Sequence, residues 1–197
     1  MTSPDEIQAF DASAPDPAET KTATFALGCF WGPDVTFGAV EGVVRTRVGY
    51  AGGTTADPTY HDIGDHSEAL QVDFDPGVVS FHELVDLAVA NHNPRRQPRK
   101  RQYQSVLFYG SEREREVIEE RLDEIRTTVE TRVEPLDRFY LAEDYHQKYN
   151  LRSDRAVMSA FEDAGYDDAD IRESPAAARL NAAVAGTEVP DITWIEG

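Results

Sequence analysis

Cysteine is nearly absent: among 197 residues only Cys29 carries a thiol. One sulfur excludes an internal disulfide framework and a cysteine-rich zinc module. Lysine is scarce as well, with only Lys21, Lys100 and Lys148, and 19 basic residues face 37 Asp and Glu. The formal charge of −18 repels nucleic acid and anionic lipid, so neither is expected as a partner. Such acidity with so few lysines resembles proteins of salt-rich cytosols, where screening weakens self-repulsion. The plainer alternative is an acidic protein with a solvated surface. No apolar run approaches the roughly 18 residues of a membrane span. The opening MTSPDEIQAF has no signal-peptide pattern. A soluble, cytoplasmic protein is expected, and its 40% hydrophobic residues suffice for a real core.

What is present reads as one domain with extensions. Residues 1–20, rich in Asp, Pro, Ala and Ser, predict a mobile acidic tail. Alternation over Thr22–Leu27, Val43–Tyr50 and Ala69–Phe74 predicts strands, and Ser105–Tyr109 a shorter one. Between the first two, GCFWGPD turns into a helix with Pro33 in its first turn. Ser80 with Glu83, and Ser111 with Glu114, are capping pairs that open two amphipathic helices. Val133–Leu141 is expected to be extended and Asp144–Tyr149 to form one or two helical turns. The segment 151–197 starts helix-like, becomes rich in Ala and Asp, and is expected to be an extension of uncertain order anchored near its end by Trp194. Strands mixed with helices predict an α+β layer sandwich.

GCFWG, residues 28–32, sets the lone thiol between glycines and beside two aromatic rings. A sulfur at a strand-to-helix turn meets unpaired N–H groups and the helix dipole, which predicts a lowered pKa. The glycines permit a sharp turn and the approach of a ligand. Phe30 and Trp31 form an apolar cup, suited to a small hydrophobic group on an electrophile. The competing reading is a cysteine that merely fills core space.

GCFWG is followed in order by VGYAGG (48–53), DPTYHDIG (57–64), HSEALQVDFDP (66–76), NHNP (91–94), RQYQS (101–105) and FYLAEDYHQKY (139–149). This series, covering about residues 22–150, resembles the A class of peptide methionine sulfoxide reductases. The resemblance implies a two-layer α/β plait related to the ferredoxin-like architecture, with a catalytic domain over 21–150. It implies that Cys29 attacks the sulfoxide sulfur as thiolate while Phe30 and Trp31 hold the methyl group. Glu68 matches the family's acid, which needs a raised pKa to keep its proton near neutrality. Tyr60 and Tyr103 match the phenols that bind the sulfoxide oxygen. The implied activity is thiol-dependent reduction of methionine S-sulfoxide, peptide-bound or free, through a sulfenic acid, as protein repair after oxidation. No bound cofactor and no metal are implied, since His61 and His66 lack further ligand spacing. Many relatives recycle through further cysteines near the C-terminus, and this chain has none. An external thiol is therefore expected: thioredoxin, a glutaredoxin-like protein or a small thiol. A monomer is expected.

Departures from the family pattern keep a second reading open. The span from Tyr60 to Glu68 is several residues short. The glycine-rich stretch after NHNP is replaced by RRQPRKRQYQS, so the family's site aspartate has no counterpart. Asn93 stands where Asp is common, and Asp34 where Glu is common. Arg95, Arg96, Arg99, Lys100 and Arg101 put five positive charges into seven residues. They form either a solvated loop or an anion site beside the pocket mouth that favours acidic peptides or an acidic partner protein. The alternative function is a catalytically weakened redox sensor, or a protein that binds methionine sulfoxide and docks a partner.

Overall fold

Alternating side-chain direction along strands buried on both faces builds the core in the computed structural model, which describes residues 2–190 and 192. Strand β1 (Lys21–Leu27) sends Ala23, Phe25 and Leu27 into the main core, while Ala26 joins a smaller apolar cluster with Ala51, Ala69, Val106 and Phe108. It pairs antiparallel with β3 (Ser67–Phe74) and β4 (Ser105–Tyr109), Phe25 lying opposite both Leu70 and Leu107. Strand β2 (Val43–Ala51) pairs antiparallel with β3, and β6 (Phe139–Leu141) extends that edge. Strand β5 (Arg132–Pro135) runs parallel to β4 on the opposite edge. The six-stranded order is β5-β4-β1-β3-β2-β6. The expected extended stretch Val133–Leu141 is thus two strands on opposite sheet edges, joined across residues 136–138.

Helices α2 (Trp31–Gly38), α3 (Phe81–Ala90) and α4 (Glu112–Asp123) lay Phe37, Leu84, Val85, Ala88, Ile118 and Leu122 onto the main core. Both predicted caps form: Ser80 Oγ accepts the Glu83 N–H at 3.2 Å, and Ser111 Oγ that of Glu114 at 3.3 Å. A mixed α+β fold results, as the patterning predicts.

Two expectations about the ends are corrected. Residues 4–13 are not a tail but helix α1 (Pro4–Ser13), opened by a capping box between Ser3 and Glu6. Its Ile7 is fully buried, in a second core with Leu151, Phe161, Ile171 and Leu180. Asp11 ties the helix down by accepting from the Ala176 N–H at 2.7 Å and the Tyr166 hydroxyl at 2.9 Å. The C-terminal segment is likewise ordered as α5 (Arg155–Asp163), α6 (Asp168–Glu173) and α7 (Pro175–Val184). Asp154, Asp167 and Ser174 cap these helices. Trp194 lies outside the described residues.

Helix α7 packs tightly on α2. The Ala178 carbonyl oxygen lies 2.6 Å from where a Cβ on Gly38 would sit, so only glycine permits that approach. Behind α2, a buried polar knot joins the layers. Asp34 accepts from Thr46 Oγ1 at 2.5 Å and Asn181 Nδ2 at 3.2 Å. Lys148, fully buried, lies 3.6 Å from Asp34 and donates to Thr46 Oγ1 at 3.0 Å. Asn181 Oδ1 in turn accepts the N–H groups of Asn150 and Leu151 at 3.0 and 3.1 Å.

Candidate active site

Cys29 sits at the turn from β1 into α2, where Gly28 takes φ +92°. No atom lies within 4 Å of a Cβ built on Gly28, so backbone conformation rather than space demands glycine there. The Cys29 residue is exposed, which removes the reading of core filler. The expected lowering of its pKa is corrected. Burial of the sulfur pushes the thiol up; the Trp31 N–H at the helix start pulls it down, and the negative charge of Glu68 pushes it up again.

Glu68 projects from β3 and is 1% exposed. One oxygen accepts the Phe30 N–H at 3.1 Å, the other the Gln102 side-chain amide at 2.6 Å. Burial raises its pKa; those two bonds and the charge of Lys100 oppose the rise but do not cancel it. The shift is in the direction a proton donor needs. Both bonds come from donors, so a protonated Glu68 has an O–H to offer an incoming oxygen.

The negative charge of Glu68 disfavours the thiolate, and for both groups burial favours the protonated form.

The two phenols lie together beside the thiol and the acid. Tyr103 ends a short 3-10 turn, Arg101–Tyr103, whose middle residue supplies Gln102. Its hydroxyl pKa is raised by burial first, then by the charge of Glu68 and by Tyr60, with a hydrogen bond to Tyr60 and a smaller push from Cys29. Tyr60 is held through its N–H, which donates to Glu143 Oε1 at 2.9 Å, while the Tyr50 hydroxyl donates to Glu143 Oε2 at 2.7 Å.

Phe30 is 1% exposed, and its ring centroid lies 6.4 Å from that of Trp31. Trp31 stacks on Tyr149 at 3.8 Å and 12°. Cys29, Glu68, Tyr60, Tyr103, Phe30 and Trp31 therefore converge. Sequence reasoning missed His146, which knits them together: its ring lies 5.2 Å from Phe30, 5.7 Å from Trp31 and 4.6 Å from Tyr60. It is 2% exposed, neither ring nitrogen has a hydrogen-bond partner, and burial lowers its pKa against the opposing charge of Glu143. Gln147 fixes its neighbourhood by a two-way bond to the Val48 backbone at 3.0 and 2.8 Å. The readable signal was YHQKY: a 3-10 turn (Asp144–His146) beside an aromatic wall.

His61 and His66 do not join this group as a ligand pair. His66 uses both ring nitrogens, accepting the Gly53 N–H at 3.1 Å and donating to the Thr55 carbonyl at 2.8 Å. Arg101 turns inward and donates to the carbonyls of Asp65 and Gly52 at 2.5 and 2.7 Å. The rest of the basic loop stays at the surface.

An exposed thiol beside a buried acid, two phenols and aromatic rings defines a cysteine-centred site on an α+β scaffold. A family model described as peptide methionine sulfoxide reductase matches residues 21–173, and the chain belongs to that family. A Drosophila melanogaster peptide methionine sulfoxide reductase is 44% identical over 145 residues, covering 71% of this chain but 59% of that protein. This chain therefore spans less than two thirds of the Drosophila relative's length. The enzyme MsrA of Methanothermobacter thermautotrophicus is 42% identical over 148 residues, covering 68% of this chain and 88% of the other. Among solved structures, methionine sulfoxide reductase A of Corynebacterium diphtheriae superposes with a TM-score of 0.62 at 32% identity, over 69% of this chain and 76% of that one. Mxr1 of Saccharomyces cerevisiae in complex with Trx2 is 31% identical, with a TM-score of 0.50, over 66% and 86% of the two chains.

Proposed function

We propose that this protein reduces methionine S-sulfoxide, peptide-bound or free, with an external thiol as electron donor. The observation that carries the reading is the buried Glu68 carboxyl, held by the N–H of the residue that follows an exposed Cys29.

The Cys29 thiolate attacks the sulfoxide sulfur while Glu68 gives its proton to the departing oxygen. Tyr60 and Tyr103 donate hydrogen bonds to that oxygen as it gains electron density, a role that a phenol fills without giving up its proton. Phe30 and Trp31 hold the methyl group, with Tyr149 buttressing the indole from behind. The protonated oxygen then moves from the methionine sulfur to Cys29 as the bond between the two sulfurs breaks, so methionine leaves and a sulfenic acid remains. One external thiol condenses with the sulfenic acid, releasing water and forming a mixed disulfide. A second thiol breaks that disulfide and restores Cys29. In sum, one sulfoxide and two thiols give methionine, one disulfide and water. The lone cysteine makes the second half intermolecular, and the Mxr1–Trx2 complex supports a thioredoxin-like donor. A cytoplasmic setting, salt-rich in keeping with the −18 charge, suits such a repair enzyme.

The test is dithiothreitol-driven reduction of a chromophoric methionine sulfoxide. Multiple turnover by the intact protein and its loss in Cys29→Ser are expected. Equal rates in the two proteins refute the proposal, and a single stoichiometric oxidation of Cys29 with no turnover favours the redox-sensing alternative instead.

A further inference from the structure

The basic loop is the part of the site region that the proposed reaction leaves unused. Arg95, Arg96, Arg99 and Lys100 are all exposed. No acidic side chain among the described residues pairs with the three arginines. Arg47, Arg115, Arg121, Arg132, Arg152 and Arg172 do reach carboxylates, whereas Arg95, Arg96 and Arg99 stand together within five residues without one. The loop itself is held firmly, which keeps those charges in place. The Gln97 N–H donates to Glu130 Oε2 at 2.8 Å, and its side-chain amide to the Ser105 carbonyl at 2.6 Å. Even the nearby Glu130 carboxylate is engaged by backbone rather than by arginine.

The loop borders a cleft of about 400 Å³ lined by Leu27, Gly28, Arg96, Pro98 and Tyr103. That cleft begins at the residue before Cys29 and shares Tyr103 with the sulfoxide site. Lys100 adds positive charge there, its ammonium 5.1 Å from the centre of the Tyr103 ring. An extended peptide advances roughly 3.3–3.6 Å per residue, so the residues one or two places from a bound methionine sulfoxide reach this cleft. Its volume suits one or two side chains rather than the face of a folded partner.

We propose that Arg95, Arg96 and Arg99 form a flanking subsite that selects peptides with Asp or Glu beside the methionine sulfoxide. This rests on the proposed function and names the substrate class of the same site. Guanidinium groups match carboxylates by paired N–H donors, and three of them clustered beside the cleft, with Arg96 in its lining, attract an acidic peptide there.

The test uses the Cys29→Ser protein, which binds without turnover, and labelled peptides identical except for Glu, Gln or Lys on either side of one methionine sulfoxide. By fluorescence anisotropy at low salt, the Glu peptide is expected to bind about fivefold tighter than Gln, as a few exposed ion pairs allow, and Lys weaker still. Molar salt, with a screening length of about 3 Å, collapses the series. Adding R95Q/R96Q/R99Q equalises the peptides while leaving the Gln affinity unchanged. Equal affinities, no binding of the Glu peptide, or a Glu preference that survives the triple substitution overturns the inference. A triple variant that slows wild-type-background turnover only with a protein reductant also overturns it, in favour of docking of that reductant. Turnover of the Gln peptide without Glu selectivity leaves the reductase standing and this inference refuted. Selective binding without turnover in the Cys29-containing protein does the reverse.

Discussion

Replacing Glu68 by Gln separates proton supply from packing. The carboxyl accepts two bonds, from the Phe30 N–H and the Gln102 amide. In the Glu68→Gln variant, a new amide whose oxygen faces Phe30 keeps the first bond. A rotated Gln102 amide presents its own oxygen to the new NH₂ and keeps the second. Folding stability should then change by no more than the ~1 kcal/mol of one ordinary hydrogen bond. The rate should change far more, because a positioned general acid contributes roughly 10²–10⁴-fold, or about 3–5 kcal/mol. The thiol should move as well. Glu68's negative charge helps to raise it, so E68Q is expected to lower the Cys29 pKa. The assay is single-turnover reduction of excess methionine sulfoxide across a pH series, with thiolate absorbance followed in parallel. In the wild type both groups titrate above their ordinary ranges, and because the reaction needs the thiolate together with the protonated carboxyl, the rate should fall as Glu68 ionises. In E68Q the rate follows thiol ionisation alone and climbs with pH. A stable E68Q protein within about threefold of wild type, with an unmoved thiol, would falsify the assignment of the acid.

The buried knot predicts that Lys148→Met leaves Asp34 without its cation and costs about 3–5 kcal/mol in urea unfolding; a loss below about 1 kcal/mol, the scale of an exposed pair, sinks that account. Ile7→Ala should cost about 2–4 kcal/mol by the same measurement, since the side chain is fully buried against α5 and α7. A neutral result there restores the mobile tail. Glu68 also makes stability pH-dependent: because its folded pKa is raised, its favourable contribution is full below the unfolded pKa and fades as pH climbs through the folded one. Wild type should therefore lose more stability than E68Q across that interval in parallel urea titrations.

Much of this was legible in the sequence where local chemistry and packing agree. The strands at 21–27, 43–51 and 67–74 follow their alternation, and the Ser80 and Ser111 caps lie where Glu83 and Glu114 place them. The N-terminal helix carried the same signal, Ser3 with Glu6 and Pro4 in the first turn, but composition outweighed it. Its order comes from long-range partners, Tyr166 and Ala176, that no local window contains. The separation of β5 from β6 depends on pairing with opposite edges, which periodicity does not encode. At the site, residue types located the thiol, while the acid and the phenols came only from the family resemblance. The direction of the Cys29 shift was not readable, because it is a contest between a local helix terminus and burial beside a distant strand. His146 escaped because an imidazole gains its meaning from the rings around it.

Asn181 has one consequence far from its own helix. One side-chain end grips Asp34, three residues beyond Trp31, and the other holds the backbone just past Tyr149. The stacked pair that walls the cup is therefore clamped from behind by a single amide near the end of the chain. Loosening that amide would first be felt where Trp31 and Tyr149 stack, while Glu68, carried by β3, would keep its register.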